Sequence, residues 1–168
     1  MHFLQLLEDS TFATWVRESS SIWAYPSILF LHTCGMAFLV GTNAAIDLRI
    51  LGFGSRMRLS PMESFYPVMW VSFWVNAVSG TVLLVANATT KLINPVFYVK
   101  MAFIFLAVGT MVLIRRRVLR DPNVDSGSTP MPGKLLALAS LLFWAGAITA
   151  GRLLAYLGPG AEGLKAQL

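Results

Sequence analysis

The sequence contains little charge, one cysteine and two histidines. Asp, Glu, Lys and Arg together make up 12% of its 168 residues, about half the roughly 25% of an average soluble domain. Hydrophobic residues make up 56%, so the composition indicates a protein whose solvent is lipid. The single cysteine, Cys34, excludes an internal disulfide and any metal site built from several cysteines.

Long runs with almost no charge indicate membrane-spanning segments. A helix needs about 20 predominantly apolar residues to cross a bilayer. Four runs with at most one charged residue reach that length: 19–46, 64–90, 92–114 and 135–161. We therefore predict an all-α, four-transmembrane-helix bundle that forms a single integral membrane domain over residues 1–168. The helices are predicted at 22–47, 64–88, 95–117 and 134–157.

The basic residues predict the orientation of these helices. Eight of the 13 lie between the first and second helices or between the third and fourth: Arg49, Arg56, Arg58, Arg115, Arg116, Arg117, Arg120 and Lys134. Basic residues next to membrane spans are retained in the cytoplasm. We therefore expect the 118–133 loop to be cytoplasmic and both termini external, in a bacterial cytoplasmic (inner) membrane.

The first residues, MHFLQLLEDS, differ from a cleavable signal peptide, because they lack a basic region and reach Glu8 and Asp9 before any long apolar run. Apolar and charged residues are mixed over 1–18, which predicts a short helix lying in the membrane interface.

Three ionisable side chains fall inside the predicted helices at similar depth. His32 lies about nine residues, or roughly 14 Å, from the external end of the first helix. Lys100 and Arg152 lie close to the external ends of the third and fourth helices. Ionisable groups are costly in lipid and are functional candidates by default. Because all three fall in the outer half, we expect them to share one site.

Helical spacing from His32 defines one face of the first helix. A step of about 100° per residue places small and polar residues beside the histidine on that face. The residues are Gly35, Met36, Leu39, Asn43, Ile46 and Asp47. This face is predicted to look into the bundle.

A haem b fits these residue types. Helix bundles often hold cofactors between facing helices, and an imidazole is a common axial ligand of haem iron. We expect His32 to be the first metal ligand and the neutral amine of Lys100 the second. Arg152 suits a haem propionate, and Asn76 or Asn43 would donate hydrogen bonds nearby. The expected role is electron transfer between the quinone pool and an external, periplasmic partner, or within a redox complex.

Plainer interpretations stay open. A lone histidine inside a membrane often joins two helices, and Lys100 and Arg152 lie close enough to helix ends to extend to the headgroups. Two other functions remain as alternatives: handling of copper or another small solute, and a structural or anchor subunit without a cofactor. Scattered methionines favour copper, but no Met-x-x-Met pattern occurs. The basic residues form no single stripe, so no nucleic acid is expected.

The stretch SSSIWAYPSILFLHTCGMAFLVGTNAAIDLRILGFG at 19–54 resembles the signature of a bacterial family of four-helix integral membrane proteins of unknown function. In that family a His, a Gly and a D-L-R-x-L-G ending recur in the first helix, and here they are His32, Gly35 and residues 47–52. The N-P-x-F-Y-x-K start of the third helix extends the resemblance to nearly the whole chain.

More distantly, the layout is similar to the HemJ-type protoporphyrinogen oxidases and the copper-resistance D proteins. In the HemJ type, a first-helix His and a third-helix Lys are regarded as haem b ligands. The resemblance implies that role for His32 and Lys100, and it implies no oxidase activity.

Overall fold

The computed structural model describes residues 5–6, 8–54, 56–125 and 129–156, and within these ranges the chain is helical and contains no strand. Its helices are α1 (Thr11–Glu18), α2 (Tyr25–Leu51), α3 (Tyr66–Val85), α4 (Ala88–Ile93), α5 (Pro95–Ile114) and α6 (Met131–Tyr156). A 3₁₀ turn, Ser60–Phe65, leads into α3, and a π-helical turn, Arg115–Leu119, extends α5.

Four of these helices are long and apolar enough to cross a membrane: α2, α3 with its 3₁₀ turn, α5 with its π-helical turn, and α6. The predicted all-α class with four membrane-spanning helices is therefore confirmed. The first span lies further along the chain than the predicted 22–47. Pro26 stands in the first turn of α2, where proline is well tolerated. Gly52 ends the helix in the left-handed conformation at φ 111°.

The predicted inward face of α2 is confirmed by burial. Its buried residues are Gly35, Leu39, Asn43, Ile46, Asp47 and Ile50. α2 packs against both α3 and α6, and α6 packs against α5. The four helices therefore form a bundle in the order α3, α2, α6, α5.

The two ends of the bundle differ. At one end α3 meets α5, because the Tyr66 hydroxyl donates to the Met111 carbonyl at 2.9 Å and the Arg115 guanidinium lies 5.0 Å from the centre of the Tyr66 ring. We call this the arginine end, since it carries Arg115 and Arg120. The opposite end, which carries α1 and α4, is called the α4 end.

The helix α1 is joined to the start of α4. Ala13 and Val16 are fully buried, while Phe12 and Trp15 stay about half exposed at 53% and 47%. One face of α1 therefore packs on the protein and the other does not.

Close packing of α2 on α3 depends on Gly35. A Cβ atom at this position would lie 3.1 Å from both the backbone N of Asn76 and the backbone O of Ser72. Small residues of this kind let membrane helices approach closely. The Asn76 side-chain amide donates to the His32 carbonyl at 2.7 Å, which adds an interhelical hydrogen bond at the same contact.

Gly35→Leu is expected to separate α2 from α3, because the new side chain meets backbone atoms that cannot move aside. We expect a loss of about 1–3 kcal/mol in the free energy of unfolding, the usual cost of overpacking. The measurement is thermal unfolding of the detergent-purified variant.

Gly41→Leu is the matched control. Gly41 lies on the same helix, is exposed, and has no atom within 4 Å of a Cβ built there. Equal stability of the two variants would contradict the assigned role of Gly35.

Candidate functional site

A cavity of about 470 Å³ lies at the α4 end, between all four membrane-spanning helices and α4. Its apolar wall consists of Leu29, Leu83, Leu84, Phe97 and Leu154. Its polar lining consists of Tyr25, His32, Asn87, Thr90, Lys91, Asn94 and Lys100. Concave sites that combine apolar walls with converging polar groups are typical of cofactor and ligand binding.

His32 is held by α3 through one ring nitrogen. Its Nδ1 lies 3.0 Å from the Asn76 carbonyl oxygen and 3.1 Å from the Ser79 hydroxyl. The carbonyl can only accept, so Nδ1 carries a proton, and in the neutral imidazole Nε2 then keeps its lone pair. Among the described residues Nε2 has no hydrogen-bond partner. An imidazole fixed at Nδ1 by a backbone carbonyl is the usual arrangement of a metal-binding histidine.

Gly80 makes room for this ring. A Cβ atom at Gly80 would lie 2.9 Å from His32 Cε1 and 3.3 Å from Nδ1. The imidazole therefore rests against bare backbone of α3, in a position that no residue other than glycine leaves open.

Two lysines share the cavity with His32. The aliphatic end of Lys100 lies on α6, with Cε 3.6 Å and Nζ 3.8 Å from a Cβ built at Gly151. Lys91, in α4, donates from Nζ to the Leu83 carbonyl at 3.2 Å. Burial lowers the pKa of Lys91, and repulsion from the nearby Lys100 lowers it further. No carboxylate belongs to the described lining. The cavity therefore favours a ligand that carries negative charge or accepts hydrogen bonds.

The structure brings together two of the three predicted intramembrane site residues. His32 and Lys100 line the same cavity. Arg152 is exposed and is not part of the lining. Asn76 lies in the α2–α3 contact beside His32, where its amide and carbonyl both face that residue.

Asn43 belongs to a second polar cluster, nearer the arginine end. Its amide donates to Asp47 Oδ2 at 2.6 Å and to Ser140 Oγ at 2.8 Å. Asn43 lies 11 positions from His32, which is roughly 16 Å along a helix. It therefore does not take part in the cavity at the α4 end. His2, the other histidine of the sequence, lies outside the described residues.

Lys91 is the charged cavity residue that the sequence did not single out. Its position just after a long apolar run reads as an ordinary basic residue at the membrane surface. The chain breaks at Asn94-Pro95: α4 ends at Ile93 and α5 begins at Pro95. The Asn94 side chain caps α5 by accepting from the Val96 amide at 3.0 Å. The short helix between α3 and α5 then places Lys91 over the cavity.

Comparison with protein families, with curated proteins and with solved structures finds no match to this chain. Within the described ranges no three His, Cys, Asp or Glu side chains gather as a metal-binding group. The site is therefore interpreted from its own residues.

The rim of the cavity is tied to α1 through Glu8. The Glu8 carboxylate accepts from the Thr89 amide at 2.9 Å and from the Thr89 hydroxyl, and Arg17 donates to its other oxygen at 3.3 Å. Arg17 also donates to the Ala86 carbonyl at 3.4 Å. Thr89 lies next to two lining residues, Thr90 and Lys91.

Acid is expected to release α1. The Thr89 hydroxyl, with the Thr89 amide and Arg17, holds the pKa of Glu8 below its ordinary value. A lowered pKa means that the contact is fully present above the ordinary glutamate pKa of about 4.3 and is lost as pH falls through the folded-state pKa. Hydrogen exchange of the amides of 11–18, corrected for the intrinsic effect of pH, measures this release.

Glu8→Gln is expected to reduce that protection already at neutral pH and to remove its dependence on acid. Glu18→Gln is the control, because Glu18 is mostly exposed and its ion pair, with Arg17 at 3.1 Å, does not reach α4. If both variants behaved like the wild type, the Glu8–Thr89 contact would not be what holds α1.

Proposed function

We propose that this protein is a b-type haem membrane protein that carries electrons between the quinone pool and an external, periplasmic partner, alone or as a subunit of a redox complex. The observation that carries the proposal is the state of His32. Its Nδ1 is bound to a backbone carbonyl, and its Nε2 keeps a free lone pair beside a cavity of about 470 Å³. This is the arrangement that an axial imidazole requires.

The residues around His32 fit a haem. The apolar wall can pack against the face of a porphyrin ring. Gly80, which has no side chain, leaves room for the His32 ring beside α3. Lys100 is the proposed second axial ligand, since its amine lies in the same cavity and has no ion pair or hydrogen bond within the described part of the chain. A lysine binds a metal only as the neutral amine, which burial favours.

Lys91 replaces Arg152 as the proposed propionate partner. Lys91 lines the cavity, whereas Arg152 is exposed on α6. An exposed arginine near a helix end suits an anchor in the headgroups. This assignment gives the two lysines different tasks: one binds the iron and the other neutralises carboxylates at the rim.

When bound, a haem supplies a one-electron couple whose potential depends on its axial ligands and on burial. The chain itself fixes the imidazole through Asn76 and Ser79. Its apolar wall offers non-polar contact to a porphyrin face, and Lys91 offers a positive charge to carboxylates at the rim. Quinones dissolve in the bilayer, which borders the exposed faces of the helices.

The proposed orientation places the α4 end outside and the arginine end in the cytoplasm of a bacterial inner membrane. The support is the excess of basic residues at the arginine end. In this orientation α1, with Phe12 and Trp15 partly exposed, lies in the outer interface. The cavity then faces the periplasmic side, where an external electron partner would dock.

The test is a reduced-minus-oxidised visible spectrum of protein produced with ample haem. We expect the bands of a six-coordinate b-type haem in the wild type. His32→Ala is expected to lose them, because the axial nitrogen is gone. Lys100→Met is expected to shift the Soret band by changing the second ligand.

Two variants serve as matched controls. His2→Ala removes the other imidazole of the sequence. Arg152→Met removes the predicted intramembrane cation that does not line the cavity. Both variants are expected to keep the wild-type spectrum. Lys91→Met is expected to keep the ligation while the haem dissociates faster. A folded wild-type protein with no Soret band, or a band that survives His32→Ala, would overturn the proposal.

A second candidate function is binding of an anionic solute. The specific observation in its favour is the cavity's two lysines and one imidazole without a lining carboxylate. Copper has weaker support, because no methionine or cysteine belongs to the described lining and soft sulfur ligands select that metal. Metal analysis separates copper from haem. A stable partner that co-purifies without any chromophore would instead favour a structural subunit.

A further inference from the structure

The polar cluster nearer the arginine end contains a fully buried carboxyl. Asp47 and Ser140 are 0% exposed and Asn43 is 2% exposed. Asn43 bridges the other two side chains at 2.6 and 2.8 Å. The second carboxyl oxygen, Asp47 Oδ1, has no hydrogen-bond partner, and neither has the buried indole nitrogen of Trp144. An unpartnered oxygen on a buried carboxyl needs an explanation.

No cation balances this carboxyl within the described residues. The Asp47 side chain forms no ion pair there, and its hydrogen bonds come from two neutral groups, the Asn43 amide and the Ser140 hydroxyl. An isolated carboxylate buried away from water is so costly that the group takes up a proton instead. When the same carboxyl is protonated and neutral, most of this free-energy cost of burial disappears.

The groups around Asp47 on the other helices are uncharged, and all but the indole nitrogen of Trp144 have hydrogen-bond partners. From α3, the Tyr66 hydroxyl donates to the Met111 carbonyl at 2.9 Å. From α5, the Thr110 hydroxyl donates to its own helix at Ala107 at 2.8 Å. From α6 come Ser140 and Trp144, neither of which is charged.

The charged groups nearest the membrane surface also have partners. In the 3₁₀ turn before α3, Glu63 accepts from Arg115 at 3.1 Å and from Arg120 at 2.9 Å. On α2 itself, the guanidinium of Arg49 donates to the Met57 carbonyl. The structure thus places the ion pairs of Glu63 at the arginine end and the buried Asp47 deeper in the bundle.

We propose that Asp47 is a proton-binding site of the membrane domain, which takes up a proton from water at the arginine end and returns it there. The step is a simple equilibrium in which a carboxylate and a proton form a neutral carboxylic acid at Oδ1. This site is independent of the proposed haem, and either can be present without the other.

Geometry assigns the exchange to the arginine end. Asp47 lies four residues before the end of α2, or roughly 6 Å along the helix. Towards the cavity stands an apolar layer in which Leu39 and Met69 are 2% and 0% exposed. His32 is 15 positions away, or roughly 22 Å. A proton on Asp47 therefore reaches water past Tyr66 and the paired charges, and not through the cavity.

Infrared spectroscopy of the protein reconstituted in liposomes tests the proposal. At neutral pH we expect a carbonyl stretching band of one protonated carboxylic acid per chain. The band should disappear in Asp47→Asn and should shift to lower frequency soon after transfer into D₂O. Asp121→Asn, which removes an exposed carboxylate of the loop after α5, is expected to leave the band unchanged.

Thermal stability gives a second readout. Asparagine has the shape of the neutral acid, so Asp47→Asn is expected to match the wild type at neutral pH. Towards alkaline pH the wild type is expected to lose stability as the buried group ionises, and the variant should not follow it.

Three results would overturn the proposal. A missing band in folded wild-type protein would show an ionised Asp47. Loss of the band on addition of sodium chloride, but not of choline chloride, would show that the site takes a cation. A band that never shifts in D₂O would show a proton that does not exchange and an acid that serves structure alone.

Discussion

The bundle depends on a reciprocal contact between α2 and α3. The His32 ring donates to the Asn76 carbonyl, and the Asn76 amide donates to the His32 carbonyl. Two hydrogen bonds between the same two residues fix the height and the rotation of one helix against the other. In lipid, such bonds are each worth about 0.6 kcal/mol on average, so their main effect is on register and less on stability. Gly35 and Gly80 allow the backbones to come close enough for both.

The same contact fixes the direction of the imidazole in the cavity. With its Nδ1 engaged on α3, the imidazole has one defined tautomer and one defined direction. The same cavity is lined by a lysine from α5, a second lysine from α4, and leucines from three helices. The helix register and the chemistry of the site are therefore consequences of one interaction.

Much of this arrangement is visible in the sequence. Uncharged runs locate the four spans, and the spacing from His32 identifies the buried face of α2, because both depend on local periodicity. The cavity is less predictable. Arg152 has the depth of a site residue, but the rotation of α6 turns it outward, and rotation is decided by packing against α2 and α5. Lys91 has the sequence context of a surface residue, and only the turn at Asn94-Pro95 brings it inward.

A residue can thus lie at the depth of a site without being part of that site. Asn43 and His32 share one face of α2, yet they belong to clusters separated by Leu39 and its apolar neighbours. A helical face that looks continuous in sequence is divided in space by the side chains that the other helices insert between its turns. These divisions depend on contacts between different helices. A short stretch of sequence does not contain that information.

The bundle is tied shut at one end, where Tyr66 bonds to the Met111 carbonyl, and leaves a cavity at the other. That closure needs only α3 and α5, which both precede α6 in the chain. The cavity at the other end is lined by all four membrane-spanning helices and by α4, so its wall is complete only once α6 has joined the bundle.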